Sequence, residues 1–269
     1  MHFFRALSVS LTLSSAVSAQ TLTEQQTAEM QRADIVLLGE IHDNPHHHQG
    51  QAALLRQIAP KAVVFEMLSP AQAEIVNSTA RDDLPALAER IDWANSGWPA
   101  FALYQPIFEA LQDLPVIGAA APREQVRAAF GAGAAATFGN GAEAFGLDTP
   151  LPSEELDKRS SLQFDAHCEA MPLDMMGGMV EAQRFRDAQF SKATLDALQI
   201  HGAPVVVIAG NGHVRRDWGM PALIAQARPD TTTFAVGFVE APHPGDDPRY
   251  DATVATAPEE RGDPCAAFN

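Results

Sequence analysis

The stretch Ile35-Val36-Leu37-Leu38-Gly39-Glu40-Ile41-His42-Asp43-Asn44-Pro45-His46-His47-His48 decides the fold. Its first four residues are apolar, two of them β-branched, with no polar alternation. A strand buried on both faces reads this way. Asn44 is a good N-cap and Pro45 a good first helical residue, so a helix should start there. Buried strand, short polar loop and helix together open a βα unit.

The pattern recurs along the chain. Ala62-Val63-Val64-Phe65 ends at Glu66. Pro115-Val116-Ile117-Gly118 is a third apolar run. Pro204-Val205-Val206-Val207-Ile208-Ala209 ends at Gly210, and Thr232 to Val239 is a fifth. Helix-period segments lie at 46–58, 70–79, 103–113, 122–130, 176–199 and 217–226. This alternation predicts an α/β fold with a mainly parallel sheet flanked by helices. Residues 131–170, Gly/Ala-rich and then Pro- and acid-rich, read as a partly helical insertion between the third and fourth strands. From about residue 241 the tail is rich in Pro, Asp and Gly and reads as irregular, with one edge strand near Ala252–Thr256.

The 269 residues are 46% hydrophobic and 19% charged. That is enough for one full-sized core, and too apolar for a disordered chain. A net charge of −16 makes nucleic acid and anionic membrane surfaces poor partners. Residues 1–19 read as a signal peptide: Arg5, an apolar stretch from Ala6, then the small-residue pattern Ala16-Val17-Ser18-Ala19. Residues 20–269 are then expected to form a single domain, periplasmic or secreted. No cysteine follows the cut, so a lipid anchor is not expected there. Two cysteines rule out a Cys-rich zinc module. After export, Cys168 and Cys265 either pair or remain unrelated thiols; an oxidising compartment favours the pair.

Ligands of open parallel sheets bind beyond the C-terminal ends of the strands. Three runs end there in unusual chemistry, so Glu40, His42, Glu66 and His213 should converge on one cleft. These are metal-ligand and acid–base residue types. Each alone has a plainer reading, as a helix-start charge or a structural histidine; four at equivalent strand ends make a joint signal. On the helix from Pro45, His47 shares a stripe with Gln51, Leu54 and Ile58 and should point inward at the helix mouth. His46 and His48 fall to either side, one of them solvated. On the 176–199 segment, Gln183 and Asp187 interrupt an apolar stripe that includes Met176 and Val180. A buried carboxylate needs a partner, and Arg184 and Arg186 flank it. The cluster is either a core ion pair or an anchor behind the strand-end histidines. Two apolar groups are either core or walls for a flat ligand: Trp93, Trp98, Phe101 and Tyr104, and Met171, Met175, Met176 and Met179. Tyr104 is one of two tyrosines, and a phenolate is a haem-iron ligand type.

The chain resembles the ChaN-like haem-binding uptake family of the Tiki/TraB/erythromycin-esterase superfamily over roughly residues 30–260. The matching pieces are Leu38 to His47, Val64-Phe65-Glu66-Met67, the Trp93–Tyr104 segment, Met179 to Asp187, and Gly210-Asn211-Gly212-His213-Val214-Arg215. Two G-x-x-H boxes fall on Gly39–His42 and Gly210–His213, with the isolated glutamate at Glu66. The resemblance implies haem binding and a role in haem or iron uptake, with envelope haem-transport components as partners. It implies haem held at a homodimer interface through a tyrosine, here Tyr104, with histidine contacts from the partner subunit; His42, His46, His47, Met176 and Trp98 are the further candidates around the ring, with His46 to His48 placed for the propionates. It also carries an alternative, a metal-dependent protease or esterase. There His42, His213 and Glu66 would hold a divalent metal or move protons, Glu40 or Glu66 would act as base, and Gln183, Arg184, Asp187 and Asn211 would support them.

Overall fold

The computed structural model describes residues 22–263, 265 and 266. The expected signal peptide lies outside them. In chain order the elements are α1 (Glu24–Met30), β1 (Ile35–Glu40), α2 (Pro45–Ile58), β2 (Ala62–Phe65), α3 (Pro70–Ser78), α4 (Leu84–Arg90), α5 (Phe101–Leu111) and β3 (Val116–Gly118). They continue with α6 (Arg123–Ala132), α7 (Ala134–Phe138), α8 (Ser153–Ala166), α9 (Met176–His201), β4 (Val205–Gly210), α10 (Asn211–Val214), α11 (Met220–Ala227), β5 (Thr233–Glu240) and β6 (Ala252–Thr256).

All six strands are parallel, in the order β3-β2-β4-β1-β5-β6. Every residue of β1 and β4 is buried, which accounts for their unbroken apolar sequences. Side chains alternate between two cores. Val36, Leu38, Val63, Phe65, Val206 and Ile208 face one core, with α2 and α5. Ile35, Leu37, Val64, Val205 and Val207 face the other, with Phe190 of α9 and Ile224 of α11. Each such aliphatic side chain contributes about 1.5–3 kcal/mol on burial.

The βα entry forms as its sequence dictates. The Asn44 side chain accepts from the His46 amide at 2.9 Å, and Pro45 opens α2. Asn44 Nδ2 also donates to Glu240 at 2.6 Å and to the Ala257 carbonyl at 3.0 Å. The loop after β1 is therefore pinned to the C-terminal ends of β5 and β6. The insertion between β3 and β4 is helical, as α6, α7 and α8 ahead of α9. Besides the single turn α10, two short helices, α1 and α4, appear where the periodic reading expected none. Each has seven residues, too few to display a periodic face; their signals are the caps Thr23 and Asp83.

The tail returns to the molecule. β6 adds to the sheet edge beside β5. Arg261 then pairs with both Asp43 and Glu240, and Cys265 is disulfide-bonded to Cys168, just past α8. Among the described residues no helix is long and apolar enough to cross a membrane.

Candidate functional site

The strand order makes the site. β2, β4 and β1 are neighbours, so their C-terminal ends lie side by side, with Glu40 level with Gly210 and Phe65 level with Ile208. Glu40, Glu66 and the turn from Gly210 to His213 thus meet on one rim. Above them is a cleft of about 570 Å³ lined by Glu40, His42, Glu66, Trp98 and His213, among others.

On its floor, acids and imidazoles alternate. His42 Nδ1 lies 2.7 Å from Glu40 Oε1, and its Nε2 is 3.8 Å from Glu66 Oε2. His213 Nδ1 lies 2.6 Å from Asp187 Oδ1, and its Nε2 is 3.4 Å from Glu66 Oε1. The order is Glu40, His42, Glu66, His213, Asp187, with Glu66 facing the outer nitrogen of both rings. Glu66 also accepts from the Gly210 amide at 2.6 Å and pairs with Arg186. Gly210 is required by this crowding: a Cβ there would stand 2.7 Å from His42 Nε2. His42 is the accessible member, with its side chain 30% exposed and its ring 4.7 Å from that of Trp98.

The charges follow from the pairing. Burial alone would raise the Glu40 carboxyl, but the imidazoles of His42 and His48 outweigh it and hold it down to about 2. Burial would also raise Glu66; His213, Arg186 and His42 instead keep it well below the ordinary carboxylate range. Burial opposes charge on His42, yet Glu40 and Glu66 raise its pKa. His213 is likewise raised, by Glu66 and Asp187 against its burial. Asp187 is pushed up by its own complete burial, against the pull of His213.

Several expected residues sit elsewhere. Tyr104 does not face the cleft. It is fully buried, its hydroxyl donates to Glu40 at 2.9 Å, and burial beside that carboxylate drives its pKa up. It braces Glu40 and offers no phenolate to a ring in the cleft. His47 points inward as expected, but beneath the loop: its Nδ1 accepts from the Ile41 amide at 2.9 Å, and burial holds its pKa down to about 4. It is a structural neutral imidazole and lines no cleft. His46 is the solvated member of the run, and His48 is buried against the Tyr104 ring. Met176 is buried at the start of α9 and does not line the cleft, whereas Trp98 does. Arg184 turns away, to Glu181 and the carbonyls of Gly146 and Thr149. Gln183 meets His213, its amide 3.0 Å from Nδ1. Asn211 lines the cleft while tying its loop to the Phe238 carbonyl at 2.6 Å. The metal set of His42, Glu66 and His213 is not formed: both rings face one carboxylate already taken by Arg186 and Gly210. Among the described residues no three His, Cys, Asp or Glu side chains are grouped to hold a metal ion.

Arg186, expected as a partner for Asp187, instead supplies the cation for Glu66. Residues outside the expected set complete the walls. Trp218 lines the cleft with Arg215 stacked 3.6 Å above its ring, joined by Arg159 of α8 at 4.9 Å. The acid-rich segment holding Arg159 gave no sign of a binding wall.

The family model described as "Haem-binding uptake, Tiki superfamily, ChaN" matches residues 26–224. Among solved structures, the chain is similar to a ChaN from Campylobacter jejuni described with cofacially bound haem. The TM-score is 0.61 at 19% identity, over 86% of this chain and 90% of that one. The type III effector HopBA1 matches with a TM-score of 0.48 at 13% identity, over 87% and 92%. The erythromycin esterase EreC in its open conformation matches with a TM-score of 0.46 at 15% identity, over 86% and 78%. No curated protein matches the chain. With the family model spanning most of its length, the chain belongs to the ChaN haem-binding uptake family of the Tiki superfamily.

Proposed function

We propose that the chain is an exported haem-binding protein that serves haem or iron uptake, and that its cleft receives the ring. The observation that carries this reading is the setting of His42. Its Nδ1 is held by Glu40, the arrangement in which a carboxylate orients a metal-ligating imidazole, and its ring lines the cleft with the side chain 30% exposed and Nε2 3.8 Å from Glu66, beyond hydrogen-bond distance. The residues fit a haem. Trp98, Trp218, Leu162 and Val180 offer apolar surface, and His42 Nε2 is the donor for iron. The volume lies within the roughly 300–1,000 Å³ of ligand pockets. Bound haem would supply an iron centre; the protein's part is to exclude water from the ring's faces and fix one imidazole.

Export is supported by the leader-like residues 1–19 and by the Cys168–Cys265 disulfide, a bond of oxidising compartments. Signal-peptide cleavage is checked by the mass of the mature chain. Partners in the envelope, and a second copy across the haem site, belong to the same proposal. Hemin added to the purified protein should give a saturable Soret shift that His42→Ala abolishes and Tyr104→Phe retains. A wild-type spectrum that never saturates would refute the reading.

The alternating floor supports a second reading, hydrolysis by proton transfer. Here Glu40 fixes His42 as the base toward a water, and His213, backed by Asp187, supplies the acid across Glu66. Ester and peptide turnover by wild type, His213→Ala and Glu66→Ala tests it. Background rates in all three would remove it.

A further inference from the structure

Beside the His42 cleft lies a second cavity of about 420 Å³, and the two share Glu66, Trp98 and Arg186. Its apolar walls come from Met67, Val126 and Phe190. Three charged side chains line it: Arg123, Arg186 and Glu66. Glu66 is already engaged by Arg186, His213 and the Gly210 amide.

Arg123 opens α6, and its single hydrogen bond among the described residues is Nη2 to the Ser96 carbonyl at 2.9 Å. A guanidinium carries five N–H donors, so most of its capacity is unused. The loop carrying Trp98 holds it in place. Gly97, at φ +88°, leaves the room; a Cβ there would stand 3.0 Å from Arg123 Nη2. The α6 N-cap, Pro122, offers no side-chain cap, and Glu124 in the first turn, which does not line the cavity, offsets the potential of the free helix amides, so the guanidinium groups carry the site. In a chain of net charge −16, two guanidinium groups against one buried, shared carboxylate are a local surplus of positive charge.

We propose that this side chamber is the anion subsite of the cleft, taking a carboxylate between Arg123 and Arg186 while the flat body of the same ligand lies against Trp98. It rests on the haem reading in that a haem propionate is the carboxylate such a ligand would bring. Guanidinium groups match a carboxylate in shape and charge. The run His46–His48 supplies no donor to this cleft from the same chain: His47 and His48 are buried, and His46 does not line it.

Two ligand pairs separate this subsite from the iron site. Protoporphyrin IX and its dimethyl ester lack iron and differ only in their carboxylates; hemin and its dimethyl ester add iron. Binding to the full chain, and to its Arg123→Leu and Arg123→Lys variants, is followed by tryptophan quenching for the first pair and by the Soret band for the second. Arg123 is exposed, and thermal melts confirm that the variants fold.

Wild type should bind each diacid about tenfold tighter than its ester, a difference set by one charge-assisted contact. Arg123→Leu should erase that preference, and Arg123→Lys should keep part of it. Equal affinity for diacid and ester in wild type, or a preference untouched in Arg123→Leu, overturns the subsite while a saturating hemin signal leaves the haem reading standing. Diacid preference without any Soret response from hemin supports the subsite and removes His42 as iron ligand. Failure of wild type to bind any of the four overturns both.

Discussion

Glu66→Gln removes one charge from the middle of the acid–imidazole chain and little else. The side chain is 1% exposed, and glutamine keeps its volume and an oxygen for the Gly210 amide. Left behind are Arg186, His213 and His42 without the carboxylate they face. Removing one partner of a buried ion pair costs about 3–5 kcal/mol. Arg186 and His42 are 28% and 30% exposed, so water recovers part of the loss, and about 2–3 kcal/mol is expected near pH 6.

The pH dependence of that loss is the sharper test. Both histidines have folded pKa values raised above 6.5, with Glu66 among the causes. A raised histidine contributes stability that is complete below its unfolded pKa and lost as pH rises through its folded pKa. Glu66 itself is depressed, so its contribution is present above about 4.5 and lost as pH falls through its lower folded value. Near pH 6 wild type therefore holds both contributions, and the variant keeps only the part of the imidazole contribution that Glu40 and Asp187 supply. Near pH 9, as the imidazoles lose their protons, chiefly Arg186 misses the charge. Urea unfolding of both proteins at about pH 6 and about pH 9 should show the gap narrowing as pH rises. A gap of constant size would mean that the imidazoles are neutral throughout and the electrostatic chain is not operating.

Tyr104→Phe should lower stability by about 1.5–3 kcal/mol, since it deletes a buried donor to a charged acceptor. It should leave the hemin ligand signature unchanged; a new iron ligand class in that variant would restore the tyrosine as ligand. Replacing Cys168 and Cys265 together by serine opens a loop with a sequence separation of 97. The chain-entropy model sets the resulting loss at up to about 4–5 kcal/mol, read from urea midpoints. No change would mean that Arg261 alone holds the tail. Gly210→Ala keeps an allowed backbone, φ −60° and ψ 148°, yet sets a methyl 2.7 Å from His42 Nε2. We expect about tenfold weaker hemin binding with the melting temperature nearly unchanged; a large fall in melting temperature would show that the ring cannot move aside.

The sheet was legible because burial on both faces writes itself as an unbroken apolar run, and each of the five runs is a strand. Strand order was not written anywhere, yet it places Glu40, Glu66 and His213 side by side. Their convergence followed only from the rule that loops at that edge of a parallel sheet carry the ligands. The caps were equally plain at Asn44 and Pro45. What failed was the assignment of roles by scarcity and adjacency. Tyr104 stood out as one of two tyrosines, but its helix turns it under Glu40. The helix stripe placed His47 inward and one neighbour in solvent, as found, but expecting His46 and His47 around the ring failed, because His47 is buried beneath the loop and His46 lines no part of the cleft. Arg123 and Arg159 carried no signal, because a side chain that reaches a cleft from an inserted helix leaves no periodic trace, and Trp218 reaches it from the irregular turn between α10 and α11.

The two functional readings compete for one nitrogen. His42 Nε2 cannot both ligate iron and receive a proton from water, and Glu40 engages Nδ1, which leaves Nε2 as the ring's remaining donor atom. His213 is not an alternative iron ligand of equal standing, because its side chain is only 5% exposed against 30% for His42, and its Nε2 stands closer to Glu66, at 3.4 Å against 3.8 Å. Haem seated on His42 would also cover the shared carboxylate. Hemin should therefore abolish any ester or peptide turnover at the stoichiometry at which the Soret band saturates. Turnover that survives saturating hemin would place the hydrolytic chemistry away from this floor, and the alternating chain would then be explained only as the scaffold that holds His42.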